Sequence, residues 1–366
     1  MLELFRGCIR GCRFCQAGFC YRPVRPKSRD LLIRQGIEAC QKSGYQEMTL
    51  SSLSSSDYRQ LEGLCDGLLD YCTPRNINLN LPSLRADGFS MSIMEKLQRS
   101  RKSSITFAPE AGTQRLRDAI NKNVTEEDLL KSCRTVFEGG CNAVKLYFML
   151  GLPTETDEDV LGIADLANKV YLCWRQYAVS RARGIRITVS TSFFVPKPIT
   201  PFQWEGQITM EEYQRRVQLL RSAITNKSII YNWHDPDTSY LEAVFARGDR
   251  RLAPVIEEAW RQGAKFDSWS EYFDLDRWLT ACRTCGVDPD FYATRERTKD
   301  EVLPWSHISV GVRPAYFWRE REQAYKSVIT PDCRVQCMGC GADRLLECGK
   351  CDEALTRRER AERGEV

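Results

Sequence analysis

Near the start of the chain, Cys8, Cys12 and Cys15 place three thiols within eight residues, in the order Cys-x3-Cys-x2-Cys, and Phe14 precedes the last of them. Thiolates are the ligands that select iron–sulfur chemistry, and three of them can bind three irons of a [4Fe–4S] cluster. No fourth cysteine stands at ligand spacing in this loop, so one iron would keep an open position. A zinc knuckle is the alternative, but it usually takes a second pair of ligands, which does not follow nearby.

Other residues able to bind a polar ligand follow the predicted strands. Asp57 comes after a run of serines, and its alternative role is to cap the next helix. Arg85 could pair with a carboxylate, or it is a surface arginine. Glu110 could accept two hydrogen bonds from a pair of hydroxyls, or it is a charge at a helix entry. Leu150 and Gly151 end an apolar strand, where glycine allows backbone to approach a ligand closely.

A second group of cysteines lies near the end of the chain. Its spacing is Cys-x3-Cys-x2-Cys-x7-Cys-x2-Cys, and its members are Cys333, Cys337, Cys340, Cys348 and Cys351. Two pairs of the form Cys-x2-Cys supply enough thiolates for tetrahedral zinc. The first three repeat the spacing of the N-terminal loop, so a second iron–sulfur cluster is the other interpretation. The sequence predicts a metal-binding tail and leaves the metal open.

Composition limits the class of protein. The chain has 366 residues, of which 42% are hydrophobic and 28% are charged, as in an ordinary globular protein. A net charge of +4 is too small to indicate nucleic acid by itself, and no apolar run approaches the ~20 residues that span a bilayer. Seventeen cysteines, many of them clustered, indicate metal binding in a reducing compartment, so we expect a cytoplasmic protein.

The predicted elements alternate between strand and helix. Strands are predicted at 2–5, 47–53, 77–81, 104–108, 143–150 and 185–195, with helices at 30–42, 58–71, 93–99, 125 onward and 156–174 between them. Helical crossovers between successive strands indicate a mainly parallel sheet. We therefore predict an α/β fold with a partial (β/α)6 barrel over residues 1–205. A mainly helical region at 206–330 and the cysteine-rich tail at 331–366 follow it.

Taken together, these residues resemble the radical S-adenosylmethionine (SAM) superfamily. The cysteine loop carries most of the resemblance, and the Gly-Leu-Pro-Thr-Glu-Thr run at 151–156 is similar to the strand-five end of its coproporphyrinogen-dehydrogenase-like and methylthiotransferase-like branches. The resemblance implies that the open iron binds SAM and that one electron splits SAM into methionine and a 5′-deoxyadenosyl radical. It also implies that Asp57, Arg85, Glu110, Leu150 and Gly151 contact SAM, although serines stand here where relatives often carry a glycine–glycine–acid turn.

The second half resembles a bacterial radical SAM family of unassigned substrate, through His234-Asp235-Pro236, residues 246–251 and residues 303–308. Longer members of that family carry an upstream cobalamin-binding-like domain. Since Cys8 follows so soon after Met1, we expect no such domain within this sequence. The resemblance alone therefore does not imply cobalamin use, and a separate cobalamin-binding chain is a candidate partner. His234 and His307, the two histidines, are candidate acids, bases or ligands, or simply hydrogen-bonded residues.

The predicted function is reductive cleavage of SAM by a radical SAM enzyme, with an unknown substrate. Modification of RNA or protein, and methyl or methylthio transfer, are the substrate hypotheses. The alternatives are a non-catalytic iron–sulfur or zinc module and a subunit of a cobalamin-dependent complex. A reductant such as flavodoxin or ferredoxin is the expected partner, and no membrane partner is expected.

Overall fold

The computed structural model describes residues 1–81 and 105–345. Two parallel sheets carry most of the strands in these residues. The strands are β1 (Leu2–Glu3), β2 (Phe5–Arg6), β3 (Arg25–Pro26), β4 (Glu47–Ser51), β5 (Asn78–Asn80), β6 (Ile105–Glu110), β7 (Ala143–Leu150), β8 (Arg186–Phe193) and β9 (Ile229–Trp233). The first sheet has the order β1-β4-β5 and the second has the order β6-β7-β8-β9. Strands β2 and β3 pair antiparallel beside the first sheet.

Helices connect the strands and cover the sheets. In chain order they are α1 (Gln16–Cys20), α2 (Arg29–Ser43), α3 (Leu61–Cys72), α4 (Gln114–Ala119), α5 (Glu126–Glu138), α6 (Asp157–Tyr177), α7 (Met210–Ala223), α8 (Pro236–Ala246), α9 (Ala253–Arg261), α10 (Leu275–Thr284), α11 (Asp290–Ala293) and α12 (Pro314–Tyr325). Short 3-10 turns accompany them. Among the described residues, no helix has the length and the apolar character needed to cross a membrane.

The helices begin where the sequence supplies a cap. The Thr125 hydroxyl accepts a hydrogen bond from the backbone N–H of Asp128, whose carboxylate accepts one in return, and α5 begins at the next residue. Before α6, the carboxylate of Asp159 likewise accepts from the backbone N–H and the hydroxyl of Thr156. Acidic residues fill the first turn of both helices, where the helix dipole favours them. These caps fix where each crossover leaves the sheet.

Each sheet buries one face against helices. In β7, Val144, Leu146, Phe148 and Leu150 point into one core together with apolar residues of α5, α6 and α7. The first sheet packs Leu4, Leu50 and Leu79 against α2 and α3 in a separate core. Alternation of side chains along a strand sends the intervening residues to the opposite face. The α/β fold predicted from the sequence is therefore confirmed, and the β-strand ends lie where the candidate site residues stand.

The structure also differs from the prediction. Strand β9 pairs in parallel with β8 within the region predicted as mainly helical, where the sequence predicted no strand, so the second sheet extends beyond residue 205. The predicted first strand is divided into β1 and β2, since Phe5 and Arg6 turn to pair with β3. Residues 82–104 lie outside the described part, and with them the predicted helix at 93–99. Closure into a barrel and the division into three regions stay predictions.

Candidate functional site

The three N-terminal thiols lie on the loop between β2 and α1. Cys15 is the residue before α1, and its backbone N–H donates to the carbonyl of Cys12 at 3.0 Å. All three cysteines are partly buried and free of disulfides. The loop enters through Gly7, whose φ of +90° and close approach to the carbonyls of Tyr21 and Pro23 exclude a side chain. The loop is thus folded tightly before any ligand is added.

Backbone donors face two of the sulfurs. Burial raises the pKa of Cys8 to about 12, neighbouring Cys12 adds to the rise, and the backbone N–H of Arg10 opposes it. Burial and Cys12 also raise the pKa of Cys15, where the backbone N–H of Gly18 opposes the rise. N–H donors directed at cysteine sulfurs are part of the surroundings that stabilise iron–sulfur clusters. The donor set, which consists of three clustered thiols and two amides, therefore fits a [4Fe–4S] cluster.

Within residues 1–81 and 105–345, no group of three His, Cys, Asp or Glu side chains is close enough together to hold a metal ion. A cubane cluster differs from such a site because each thiolate binds its own iron, so its ligands stand farther apart than those of one ion.

Asp57 lies beside the loop in an ion-pair network. Its carboxylate accepts two hydrogen bonds from Arg10, at 2.5 and 3.0 Å, and one from Arg334 at 3.1 Å. The Ser54 hydroxyl donates to it at 2.6 Å. Burial would raise the pKa of Asp57, but these partners lower it below its usual range. The carboxylate is thus already paired with two arginines, and the predicted contact with SAM stays a prediction.

Glu110 ends β6 close to the cysteine loop. Its φ is +69°, a conformation that is costly for a residue with a side chain and that is typical of functional sites. Lys122 pairs with its carboxylate at 3.0 Å and stands over the ring of Phe14, 5.9 Å from the centroid. Glu110 and Lys122 both influence the thiol of Cys15 electrostatically. The structure therefore brings this predicted residue to the edge of the cysteine loop.

The end of β7 forms a tight turn. Leu150 is fully buried in the core, and its carbonyl accepts from the backbone N–H of Phe194. Gly151 has a φ of +89°, and a Cβ there would lie 3.0 Å from Ile208. Its N–H donates to the carboxylate of Glu155 at 2.7 Å. Glycine is therefore required by the turn and by Ile208, while the contact of both residues with SAM stays a prediction.

The C-terminal cysteines approach the same loop. The backbone N–H of Cys333 donates to the carbonyl of Ile9 at 3.3 Å, and the carbonyl of Cys340 accepts from Arg313 at 2.9 Å. Cys337 is exposed. Three of the predicted site residues, Arg85, Cys348 and Cys351, lie outside the described residues. Metal binding at the tail stays a prediction.

Sequence reasoning did not assign the charged residues that surround the loop. Arg10 pairs with Asp57 and with Asp332, and Arg13 is fully buried against Glu320. The available signal was their position between the loop cysteines, where an arginine has to be either exposed or paired. Their partners lie far away in sequence, so the pairing itself could not be predicted.

One face of the second sheet is polar and open. Lys145 and Tyr147 of β7 are exposed on the face opposite the core, with Tyr147 41% exposed. The register places Ser190 of β8 beside Tyr147, and Asn232 of β9 beside Ser190. We name these four residues the inner face. Since parallel sheets normally bury both faces, a polar inner face indicates a surface kept for water or a ligand.

The two histidines lie elsewhere. His307 is exposed and lines a cavity of about 900 Å³, together with residues 248–251, residues 302–304 and Ser306. Two of the three stretches that resemble the family of unassigned substrate therefore meet at one cavity. His234 is exposed just after β9, and its backbone N–H donates to the carbonyl of Thr191.

A comparison with known families bears on this loop directly. Residues 2–167 match the radical SAM superfamily. The matched segment begins at β1 and contains the cysteine loop, Asp57, Glu110 and Gly151. This match to residues 2–167 confirms the prediction made from the cysteine loop.

Among curated proteins, the chain is similar to an uncharacterized protein of Methanocaldococcus jannaschii. The two are 29% identical over 291 residues, which cover 78% of this chain and 60% of the relative. The chain thus spans less than two thirds of the length of that protein. The relative has no assigned activity in its name, in keeping with a family of unassigned substrate.

Two solved structures are similar at low identity. One is the radical S-adenosylmethionine methyltransferase TsrM from Kitasatospora setae, with cobalamin and a [4Fe–4S] cluster bound. It is 12% identical, has a TM-score of 0.48, and the match covers 77% of this chain and 60% of TsrM. The other is the cobalamin-dependent SAM radical enzyme OxsB, with aqua-cobalamin and SAM bound. It is 10% identical with a TM-score of 0.40, and the match covers 88% of this chain and 53% of OxsB.

Proposed function

We propose that this protein is a radical SAM enzyme that binds a [4Fe–4S] cluster through Cys8, Cys12 and Cys15. The supporting observation is the cysteine loop itself, where three clustered thiols meet backbone donors from Arg10 and Gly18. When bound, the cluster and SAM supply one-electron cleavage of SAM to methionine and a 5′-deoxyadenosyl radical. The residues of the loop hold the cluster and leave one iron without a protein ligand from the loop.

The strand ends beside the loop are the proposed SAM surface. Glu110 stands beside Cys15, and its carboxylate is apt for accepting hydrogen bonds from ribose hydroxyls. Lys122 pairs with that carboxylate at 3.0 Å. The inner face then lies on the same sheet as Glu110, and its Lys145, Tyr147, Ser190 and Asn232 suit a polar substrate. We propose flavodoxin or ferredoxin as the electron donor and the cytoplasm as the compartment.

The test is anaerobic reconstitution of the cluster, followed by reduction in the presence of SAM and an assay for 5′-deoxyadenosine. Wild-type protein is expected to form the nucleoside, and Cys12→Ala is expected to reduce it to the level of a protein-free reaction, since one iron loses its ligand. Cys285→Ala is the matched control, because Cys285 is a partly buried thiol just after α10, far along the chain from the loop. That variant should retain the wild-type rate.

Two results would contradict the proposal. If wild-type protein assembles a cluster on the loop but forms no 5′-deoxyadenosine, the chain is a non-catalytic module. If Cys12→Ala and Cys285→Ala form the nucleoside at equal rates, the cleavage does not depend on this loop.

A further inference from the structure

The tail cysteines are arranged against a buried positive charge. Arg22 is 5% exposed, and its guanidinium donates to the carbonyls of Gly18 at 3.0 Å and Arg10 at 2.8 Å. It also lies over the rings of Phe19 and Tyr316. In the described part of the chain, the charged or polar side chains that influence Arg22 most are Tyr316, Cys333 and Cys340, and no carboxylate is among them. A buried cation without an acidic partner requires an anion nearby.

Two of the tail cysteines lie near Arg22. Its guanidinium donates to the carbonyl of Arg10, next to the Ile9 carbonyl that accepts from the backbone N–H of Cys333. It also lies over the rings of Phe19 and Tyr316, which belong to the apolar cluster against which Cys340 packs. The chain therefore carries a second set of thiols, with the spacing of the N-terminal loop, beside a buried cation.

The tail set is held in place by the rest of the fold. Cys333 is joined to the N-terminal loop through the backbone hydrogen bond to Ile9, and Asp332 and Arg334 continue the ion pairs of Arg10 and Asp57. Cys340 packs beside the apolar cluster that contains Phe19 and Tyr316. The glycines on either side of Cys340, Gly339 and Gly341, have φ values of +66° and +99°. The segment thus follows a defined path around its thiols.

We propose that Cys333, Cys337 and Cys340 bind a second iron–sulfur cluster beside the N-terminal loop, with Arg22 as its buried counter-charge. The thiols repeat the Cys-x3-Cys-x2-Cys spacing of the loop at 8–15. Among the described residues no three such side chains stand close enough for a single ion, which suits a cubane whose thiolates each bind a separate iron. Bound thiolates supply the negative charge that Arg22 otherwise lacks. The inference does not depend on SAM cleavage, because it concerns residues outside the SAM loop.

The experiment compares metal content after anaerobic reconstitution with iron and sulfide. The loop variant carries Cys8→Ala, Cys12→Ala and Cys15→Ala, and the tail variant carries Cys333→Ala, Cys337→Ala and Cys340→Ala. Each is expected to retain roughly half of the wild-type iron and sulfide, with a cluster signal in Mössbauer spectra. Cys282→Ala with Cys285→Ala is the matched control and should retain all of it. Zinc alone in the loop variant, or no metal in it, overturns the proposal.

A second measurement covers the case in which the tail variant does not fold. In the loop variant, Arg22→Met is expected to shift the reduction potential of the remaining cluster to a more negative value, because a nearby cation favours the reduced cluster. Arg22→Lys should restore much of the shift. An unchanged potential in Arg22→Met would overturn the role of Arg22. Loss of SAM cleavage with an intact tail cluster would instead count only against the proposed function.

Discussion

Glu110 shows how one residue is prepared by its surroundings. It combines a left-handed backbone with an ion pair to Lys122, and it stands beside the thiol of Cys15. A backbone conformation of this kind persists only where the neighbouring structure imposes it. At Glu110, the irregular pairing of β6 with β7 between Phe107 and Glu110 imposes this conformation. The carboxylate of Glu110 therefore lies at the end of the sheet beside the cysteine loop.

Glu110→Gln is expected to weaken SAM binding by roughly tenfold, since it replaces charge-assisted hydrogen bonds with neutral ones. Iron content should not change, because Glu110 is not a proposed cluster ligand. Equilibrium binding of SAM to the reconstituted protein measures the effect. Glu138→Gln is the control, because Glu138 forms an exposed ion pair with Arg134 on α5. This variant should bind SAM as wild type does. Equal SAM affinity in both variants would remove Glu110 from the SAM site.

The turn between β7 and α6 contains a buried carboxylate, and its burial costs free energy when the group is charged. Glu155 accepts from the N–H of Gly151 at 2.7 Å and pairs with Arg216 at 2.5 Å, and its side chain is nearly inaccessible. Burial raises the pKa of Glu155 to about 7, against the opposing effects of Gly151 and Arg216. The turn at the end of β7 therefore depends on the carboxylate of Glu155, whose pKa is higher in the folded than in the unfolded protein.

This shift predicts a pH dependence of stability. Because the pKa is higher in the folded than in the unfolded state, the contribution of Glu155 is fully present below its ordinary value of 4.5 and is lost as pH rises through about 7. Relative to Glu155→Gln, wild type should lose up to about 1.4 kcal/mol of unfolding free energy per pH unit in that window. Urea unfolding between about pH 5 and pH 8 measures this difference.

A suitable control for this measurement is Glu38→Gln. Glu38 is exposed on α2, and hydrogen bonding to Lys42 lowers its pKa, so it stays charged throughout the window. The difference in unfolding free energy between Glu38→Gln and wild type should therefore be constant across this pH window. A constant difference for Glu155→Gln as well would show that Glu155 does not change its protonation on folding.

At the scale of the molecule, buried polar contacts join the ends of the chain. Arg13, inside the cysteine loop, donates to Glu320 of α12, 307 residues away, and to the carbonyl of Val328. It also donates to the carbonyls of Asp118 and Ala119 at the end of α4. The cysteine loop is therefore fixed between the first half of the chain and the C-terminal region. Its geometry depends on both.

Glu320→Gln is expected to lower the free energy of unfolding by roughly 3–5 kcal/mol, because Arg13 would be left as a buried charge without its counter-charge. The double variant Arg13→Met with Glu320→Leu should recover part of that loss. Urea unfolding of the single and double variants measures the coupling. Glu38→Gln breaks an exposed pair and should leave the midpoint unchanged. If Glu320→Gln lowers the free energy of unfolding as little as Glu38→Gln does, the two halves of the chain are joined by other contacts.

Much of the fold could be predicted because it is encoded locally. Alternating residues in β7 and β8 and the caps at Thr125 and Thr156 determine strands and helix starts through neighbours a few positions apart. Strand β9 was missed because only Ile229 is buried among its five residues, so no clear alternation marks it. It is a strand because β8 offers it an open edge, which is a tertiary property.

The sequence by itself determined the ligand set of the N-terminal loop, since the spacing of Cys8, Cys12 and Cys15 is set within eight residues, and it predicted iron–sulfur chemistry there because thiolates select iron and sulfur. It also predicted that Glu110 would stand at a strand end near that loop. Only the tertiary structure decided the charge partners, such as Arg10 with Asp57 and Arg13 with Glu320. The reason is physical, because a buried charge is satisfied by whichever residue the fold brings beside it, and sequence distance does not limit that choice.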